Sequence, residues 1–355
     1  MISKKSIASE WLEEVSSKNR NADKILVEKV IRALLLLEGL VKSDLKFIFK
    51  GGTALMLLVK STKRLSIDID IIVSNKQEFE RLFESFIKEQ GFNRFEGQER
   101  KARSGIEKAH FKFFYTPVHQ NGMAEDYVLL DILFEEPHYS KLIDLPIDSS
   151  FLIQEGKPIT VSVPGFEDIL GDKLTAFAPN TIGIPYEKNG DSRAMEIIKQ
   201  LYDIGSLLIY ADDTRIVAET FRIFAQTELT YRKCDPDIIP VLEDIYQTSL
   251  HICTLGKEGE GNYELLSRGI TQIKRFVFSE NYQLDRAITD ASKAAYIAKV
   301  IEKEVKFFEK YTDASQVTNL IIDQSFYTKL NKLKKRNPEA FFYWYQIFLL
   351  RKSKL

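Results

Sequence analysis

Two aspartates, Asp68 and Asp70, stand two positions apart in the segment SIDIDIIV. In an extended strand, residues i and i+2 project from one face with Cα atoms about 7 Å apart, while Ile67, Ile69 and Ile71 point to the other, apolar face. Carboxylates held in this way can bridge hard divalent cations. Mg²⁺ in particular favours one or two carboxylates completed by phosphate oxygens and water. A pair of such ions stabilises both the attacking and the leaving oxygen of an in-line displacement at phosphorus. The competing reading is an edge strand whose solvent face is acidic.

Upstream, the segment KFIFKGGTALMLLVK reads as a short strand, a glycine turn and a helix. Gly51 and Gly52 lack a Cβ, so backbone N–H groups there can approach phosphate oxygens closely. The helix expected from about Thr53 adds its partial positive end, and the Thr53 hydroxyl can donate a further hydrogen bond. A glycine pair is common in turns. Its weight here comes from preceding the carboxylate strand by one helix, which can bring a triphosphate and a metal together.

The elements that must position these residues follow from periodicity. Between Ser9 and Leu45 apolar residues recur at helical spacing, which predicts two opening helices. Phe79 to Gln90 reads as an amphipathic helix stopped by Gly91, and HFKFFYTP and YVLLDILFEE as strands able to pair across HQNGMAED. To about Pro164 the pattern is α+β. Beyond it GFEDILGDKLTAFA, SRAMEIIKQLYDIGSLLIY and nearly all that follows keep helical spacing without an internal repeat. The expected organisation is an α/β core at 1–164 and a helical region at 165–355, with APNTIGIPYEKNGDS and GKEGEGNY as loops.

Composition fits a soluble globular protein of about two domains: 355 residues, 44% hydrophobic and 28% charged. A formal charge of −1 gives no bulk steering toward nucleic acid. Any such site must be local, at RFEGQERKAR (94–103), read as a loop, or KLNKLKKR (329–336), and a solvated surface is the competing reading of both. No apolar run is long enough to cross a bilayer, and MISKKSIASEWLEE has no secretory apolar core, so the expected location is cytoplasmic, with no membrane partner. Cys234 and Cys253 are too few for a disulfide framework, and His110, His119, His138 and His251 lack metal-ligand spacing. Phe341 to Tyr345 could stack bases, but the run is read as a packed terminal helix.

The string KGGTALMLLVKSTKRLSIDIDIIV resembles the nucleotidyltransferase superfamily related to DNA polymerase β, in which a Gly-Gly or Gly-Ser turn precedes paired acids. More narrowly it resembles the AbiEii family, the toxins of type IV toxin–antitoxin and abortive-infection systems, including MenT-type members. There Arg-x-Ser-x-Asp-x-Asp closes the first motif, matched here by Arg64, Ser66, Asp68 and Asp70. GDKLTAF resembles the family's lysine motif at Lys173, and RAMEIIKQLYDIGSL its last motif at Arg193 and Asp203. The resemblance runs from about Lys50 to Leu207. It implies a nucleotidyltransferase fold with a mixed sheet and a C-terminal helical region, Mg²⁺ on Asp68 and Asp70, and a nucleoside triphosphate held by Gly51, Gly52, Thr53, Arg64, Ser66 and Lys173. It further implies tRNA 3′ ends as acceptor in some members, and a cognate antitoxin as partner.

Lys173 and Asp203 would then be contributed to the site by the helical region. Lys173 would set a cation against the triphosphate, or else be a helix-surface lysine beside Asp172. Asp203, on an apolar helix, would hold Lys173 or Arg193, or else serve as a simple helix cap or core ion pair. Asp131 lies inside the apolar LLDILF. The superfamily's third acid on a neighbouring strand fits that position, as metal ligand or as a base for the acceptor hydroxyl; pairing with Lys112 across the sheet is the alternative. Two other functions remain open: the same chemistry on a protein or small-molecule hydroxyl such as an aminoglycoside, and a catalytically silent nucleotide- or partner-binding module.

Overall fold

Helices α1 (Ser9–Lys18) and α2 (Lys24–Lys42) begin the chain, and the Asp23 side chain caps α2 by accepting from the Ile25 N–H. Nearly every α2 residue from Val27 to Leu40 is buried, including the ion pair of Glu28 with Arg32 at 3.1 Å. A helix buried on all sides in this way lies inside a core rather than on it. The computed structural model describes residues 1–59, 64–76, 78–99, 107–119, 122, 124–323 and 326–352. Two units result. The first comprises Met1–Gly165 with Arg275–Asn281, and the second comprises Phe166–Lys274 with Tyr282–Leu355.

In the first unit, β1 (Ile48–Lys50) leads directly into α3 (Gly51–Leu58), followed by β2 (Ile69–Val73), α4 (Phe79–Glu84), β3 (Arg94–Glu99), β4 (Glu107–Tyr115) and β5 (Asp126–Phe134). Among the described residues these strands form one mixed sheet in the order β1-β2-β5-β4-β3, with β2 and β5 parallel and the other pairs antiparallel. Alternation along β4 sends Phe111, Phe113 and Tyr115 into the core, where Phe83 meets Phe111 and Phe113 edge-on at 4.9 and 5.0 Å. Such edge-to-face rings suit the aromatic quadrupole. His110, Lys112 and Phe114 therefore take the opposite face. A hairpin of β6 (Leu142–Pro146) and β7 (Thr160–Pro164) completes the unit, with β7 packed on β1.

The second unit is built from α5 (Phe166–Ala176), the small hairpin β8 (Glu187–Lys188) and β9 (Asp191–Ser192), α6 (Ala194–Leu207), α7 (Thr214–Tyr231), α8 (Ile239–Cys253), α9 (Tyr263–Gln272), α10 (Leu284–Glu302), α11 (Leu333–Arg336) and α12 (Pro338–Lys352). Helix α10 is the hub. Its Ala287, Ala291, Ala294, Ala295 and Ala298 are buried, and their small side chains let α6, α8 and α12 pack close around it. Phe341 through Trp344 of α12 are buried, so that aromatic run is core, as its spacing indicates.

The expected α+β class and helical second half are what the chain adopts. Several local expectations shift. The strand carrying the acids starts at Ile69 rather than Ser66, the regular part of the 79–90 helix ends at Glu84, and 94–99, read as loop, is the edge strand β3. The remainder of that basic stretch, 100–103, lies outside the described residues. No described helix is long and apolar enough to cross a membrane.

Candidate active site

Helix α3 starts at Gly51 itself, so the two glycines form its first turn and their N–H groups are among those left without an intrahelical acceptor. Lys50 occupies the cap position and makes no side-chain capping bond. Gly51 has φ +79°, a left-handed conformation that L residues adopt only under strain. Space makes the same demand: a Cβ on Gly51 would lie 2.0 Å from Asp70 Oδ2, and one on Gly52 would lie 2.6 Å from Ser66 Oγ and 2.7 Å from Arg64 Nη2. The motif thus closes on itself, with Asp70, Ser66 and Arg64 gathered against the start of the helix. Backbone donors, a hydroxyl, a guanidinium and a carboxylate meet there.

Thr53 departs from expectation. It is fully buried, and its hydroxyl donates to the Asp68 carbonyl at 2.6 Å. The hydroxyl assigned to phosphate therefore ties the segment bearing Asp68 to α3. Asp68 and Asp70 are both half-buried and flank the buried Ile69, but Ile67 is not part of the core. Arg64 is buried, donates to the Leu65 carbonyl at 3.0 Å, and bridges through its backbone to Val277, while the Leu65 N–H donates to the Phe276 carbonyl at 2.7 Å. The returning segment Arg275–Asn281 thus clamps the motif from behind. Nothing in the local sequence signals that role.

Strand register sets a polar row across the sheet. Lys50 faces Asp70, Asp70 faces Asp131, and Asp131 faces His110, on four adjacent strands. Neighbouring strands are about 4.8 Å apart, so these side chains share one face at close range. His110 Nδ1 hydrogen-bonds Asp131 Oδ1. The alternative partner, Lys112, lies opposite Leu129 with its ammonium over the Tyr127 ring at 4.6 Å, and is not the residue that engages Asp131. His110 was missed from sequence because its significance lies in a pairing register, not in any local spacing.

The donors around Asp68, Asp70 and Asp131 are carboxylate oxygens, which suits a hard divalent ion. Among the described residues no three His, Cys, Asp or Glu side chains converge to hold a metal ion. An ion on one or two of these acids would thus be completed by phosphate and water, as Mg²⁺ prefers.

In the second unit Lys173 of α5 is buried and its Nζ lies 2.9 Å from Asp203 Oδ2 and 2.9 Å from Gln200 Oε1, both on α6. Of the partners considered for Asp203, Lys173 is the one that contacts it. Arg193 caps the start of α6, its N–H donating to the Tyr186 carbonyl, and its buried Nε has no hydrogen-bond partner among the described residues. The basic cluster at 329–336 is drawn into intramolecular contacts: Lys329 with Glu258, Lys334 with the Thr318 and Leu320 carbonyls, and Arg336 with Asp285. Arg94 is likewise paired with Glu96 and Glu125.

Solved structures to which the chain is similar include two described as nucleotidyltransferase or nucleotidyltransferase-like. A presumed nucleotidyltransferase from H. pylori is 15% identical, covering 80% of this chain and 97% of its own at a TM-score of 0.39. An antigenic nucleotidyltransferase-like protein from Paracoccidioides brasiliensis is 17% identical, covering 59% and 94% at 0.34. No curated protein matches the sequence. The family described as nucleotidyl transferase AbiEii toxin of type IV toxin–antitoxin systems matches residues 35–280, a span that takes in the glycine turn, the paired acids, Lys173, Asp203 and most of the returning clamp. The chain belongs to the AbiEii nucleotidyltransferase toxin family.

Proposed function

We propose that this protein transfers a nucleotidyl group from a nucleoside triphosphate to an acceptor hydroxyl, with the 3′ end of tRNA as the acceptor and Mg²⁺ as the required ion. The observation that carries the reading is the closure of Asp70, Ser66 and Arg64 on the first turn of α3, which has no side-chain cap, so that backbone N–H groups, a guanidinium, a hydroxyl and a carboxylate lie within one side chain of each other. The Gly51 and Gly52 amides and Arg64 hold phosphate oxygens, and Ser66 adds a hydroxyl donor. Asp68 and Asp70 hold the ion, which when bound supplies positive charge to the phosphates. The acceptor oxygen bonds to the α-phosphorus, the bond to the bridging oxygen breaks, pyrophosphate leaves, and the hydroxyl proton is released. Lys173, fixed by Asp203 and Gln200, serves the same reaction as a cation for the phosphates. The cellular setting is the cytoplasm, and a cognate antitoxin restrains the activity.

The test is incubation of the protein with Mg²⁺, each α-³²P-labelled triphosphate in turn and total tRNA, beside an Asp68→Ala, Asp70→Ala double variant. Label on tRNA in the wild type alone is the expected result, and it names the nucleotide. Label on protein or a small molecule instead would replace the acceptor. Wild type that binds no triphosphate would overturn the reading in favour of a silent module.

A further inference from the structure

The pairing of His110 with Asp131 fixes more than a contact. A carboxylate only accepts hydrogen bonds, so the ring nitrogen facing it, Nδ1, must carry the hydrogen. In the neutral ring this leaves the lone pair on Nε2, at the far edge of the imidazole. The ring is not sealed in the core: 21% of the His110 side chain and 34% of Asp131 remain exposed. It stands on the same face as Asp70, separated from it across the sheet only by Asp131. A buried histidine paired for stability would face the aromatic core on the other side of β4, where Phe111 and Phe113 lie.

We infer that Asp131 and His110 form a dyad that positions the acceptor, with His110 Nε2 accepting the hydrogen bond of the attacking hydroxyl beside Asp70. The inference rests on the transferase reading above and adds to it the groups that meet the second substrate. Asp131 acts through His110 as a positioning residue, holding the imidazole in one tautomer and orientation. A hydroxyl held in this way presents its oxygen lone pair toward phosphorus, and misplacement by about 1 Å can cost a factor of about 10².

Two conservative variants separate this role from the alternative, in which His110 merely steadies Asp131 as an ion ligand. The His110→Asn amide can reproduce Nδ1 and keep the bond to Asp131, but nothing replaces Nε2. The longer His110→Gln side chain reaches toward the Nε2 position and can still accept there. Asp131→Asn can donate to Nδ1 and so select the opposite tautomer, with Nε2 carrying the hydrogen. Transfer to total tRNA is measured at saturating triphosphate, and Mn²⁺ binding in the presence of a non-hydrolysable triphosphate is measured by calorimetry.

The dyad predicts that kcat/KM for tRNA falls about 10- to 100-fold in His110→Ala, His110→Asn and Asp131→Asn, with partial recovery in His110→Gln and Mn²⁺ affinity within about twofold of wild type throughout. Recovery by Asn rather than Gln, or a loss of Mn²⁺ affinity in His110→Ala matching the loss of transfer, overturns it. Wild-type label with an unaltered His110 series overturns the dyad alone; absence of label in wild type overturns the dyad together with the transferase reading.

Discussion

The pair of Lys173 and Asp203 allows structural and chemical roles to be separated by measurement. Their side chains are 10% and 3% exposed and lie 2.9 Å apart. Removing one member of a buried ion pair strands the other charge and costs about 3–5 kcal/mol. In Asp203→Ala the ammonium of Lys173 keeps its bond to Gln200 and a little exposure, which puts the expected loss at the lower end, about 3 kcal/mol. For a domain of this size each kcal/mol moves Tm by about 2–4 °C, so thermal unfolding should fall by about 6–12 °C. Replacing both residues by apolar ones of similar volume, as in Lys173→Met with Asp203→Leu, removes the stranded charge and should bring stability back to within about 1.5 kcal/mol of wild type. Transfer of label to tRNA should stay at background in the double variant, because a methionine offers no cation to phosphate. Recovery of transfer along with stability would refute a chemical role for Lys173. A shift of less than about 2 °C in Asp203→Ala would refute the claim that the pair holds α5 to α6.

Gly51→Ala meets both a left-handed φ and the Asp70 carboxylate; it should lose about 1–2 kcal/mol in urea unfolding from the backbone alone and abolish triphosphate binding as Asp70 is displaced. Gly52→Ala meets a hydroxyl and the tip of a flexible arginine, so a smaller stability loss and a weaker but measurable triphosphate affinity are expected. A thiol reagent should modify the exposed Cys234 promptly and Cys253 only on unfolding. Burial pushes the Cys253 thiol up to about 11. Its folded-state pKa lies above the unfolded value, so its contribution to stability is present below about pH 9 and is lost as pH rises toward 11. Cys253→Ala should lose about 1 kcal/mol less than wild type between pH 8 and pH 10 in chemical denaturation.

What the sequence made legible was what local chemistry dictates. Alternation in SIDIDIIV placed Asp70 opposite the buried Ile69 and Ile71, and the glycines marked where a Cβ would not fit. Helical spacing placed Lys173 and Asp203 on helices, but not which charge would meet which. Features decided by distant pairing were hidden. His110 gains its partner from the β4–β5 register, and Arg64 is held through a bridge to Val277 that spans the whole of Phe166–Lys274 in sequence. Thr53 carried a hydroxyl that could serve phosphate or backbone, and only the fold chose the Asp68 carbonyl.

The return of Arg275–Asn281 to the first unit bears on synthesis. A nascent chain emerging from the ribosome displays the glycine turn and both aspartates early, yet Arg64 and Leu65 gain their backing from Phe276 and Val277 only after all of α5 through α9 has been made. Fragments terminated before Phe276 carry the whole glycine-turn and paired-acid motif without the segment that backs Arg64 and Leu65. For a toxin, completion of the motif is thereby tied to translation through Val277.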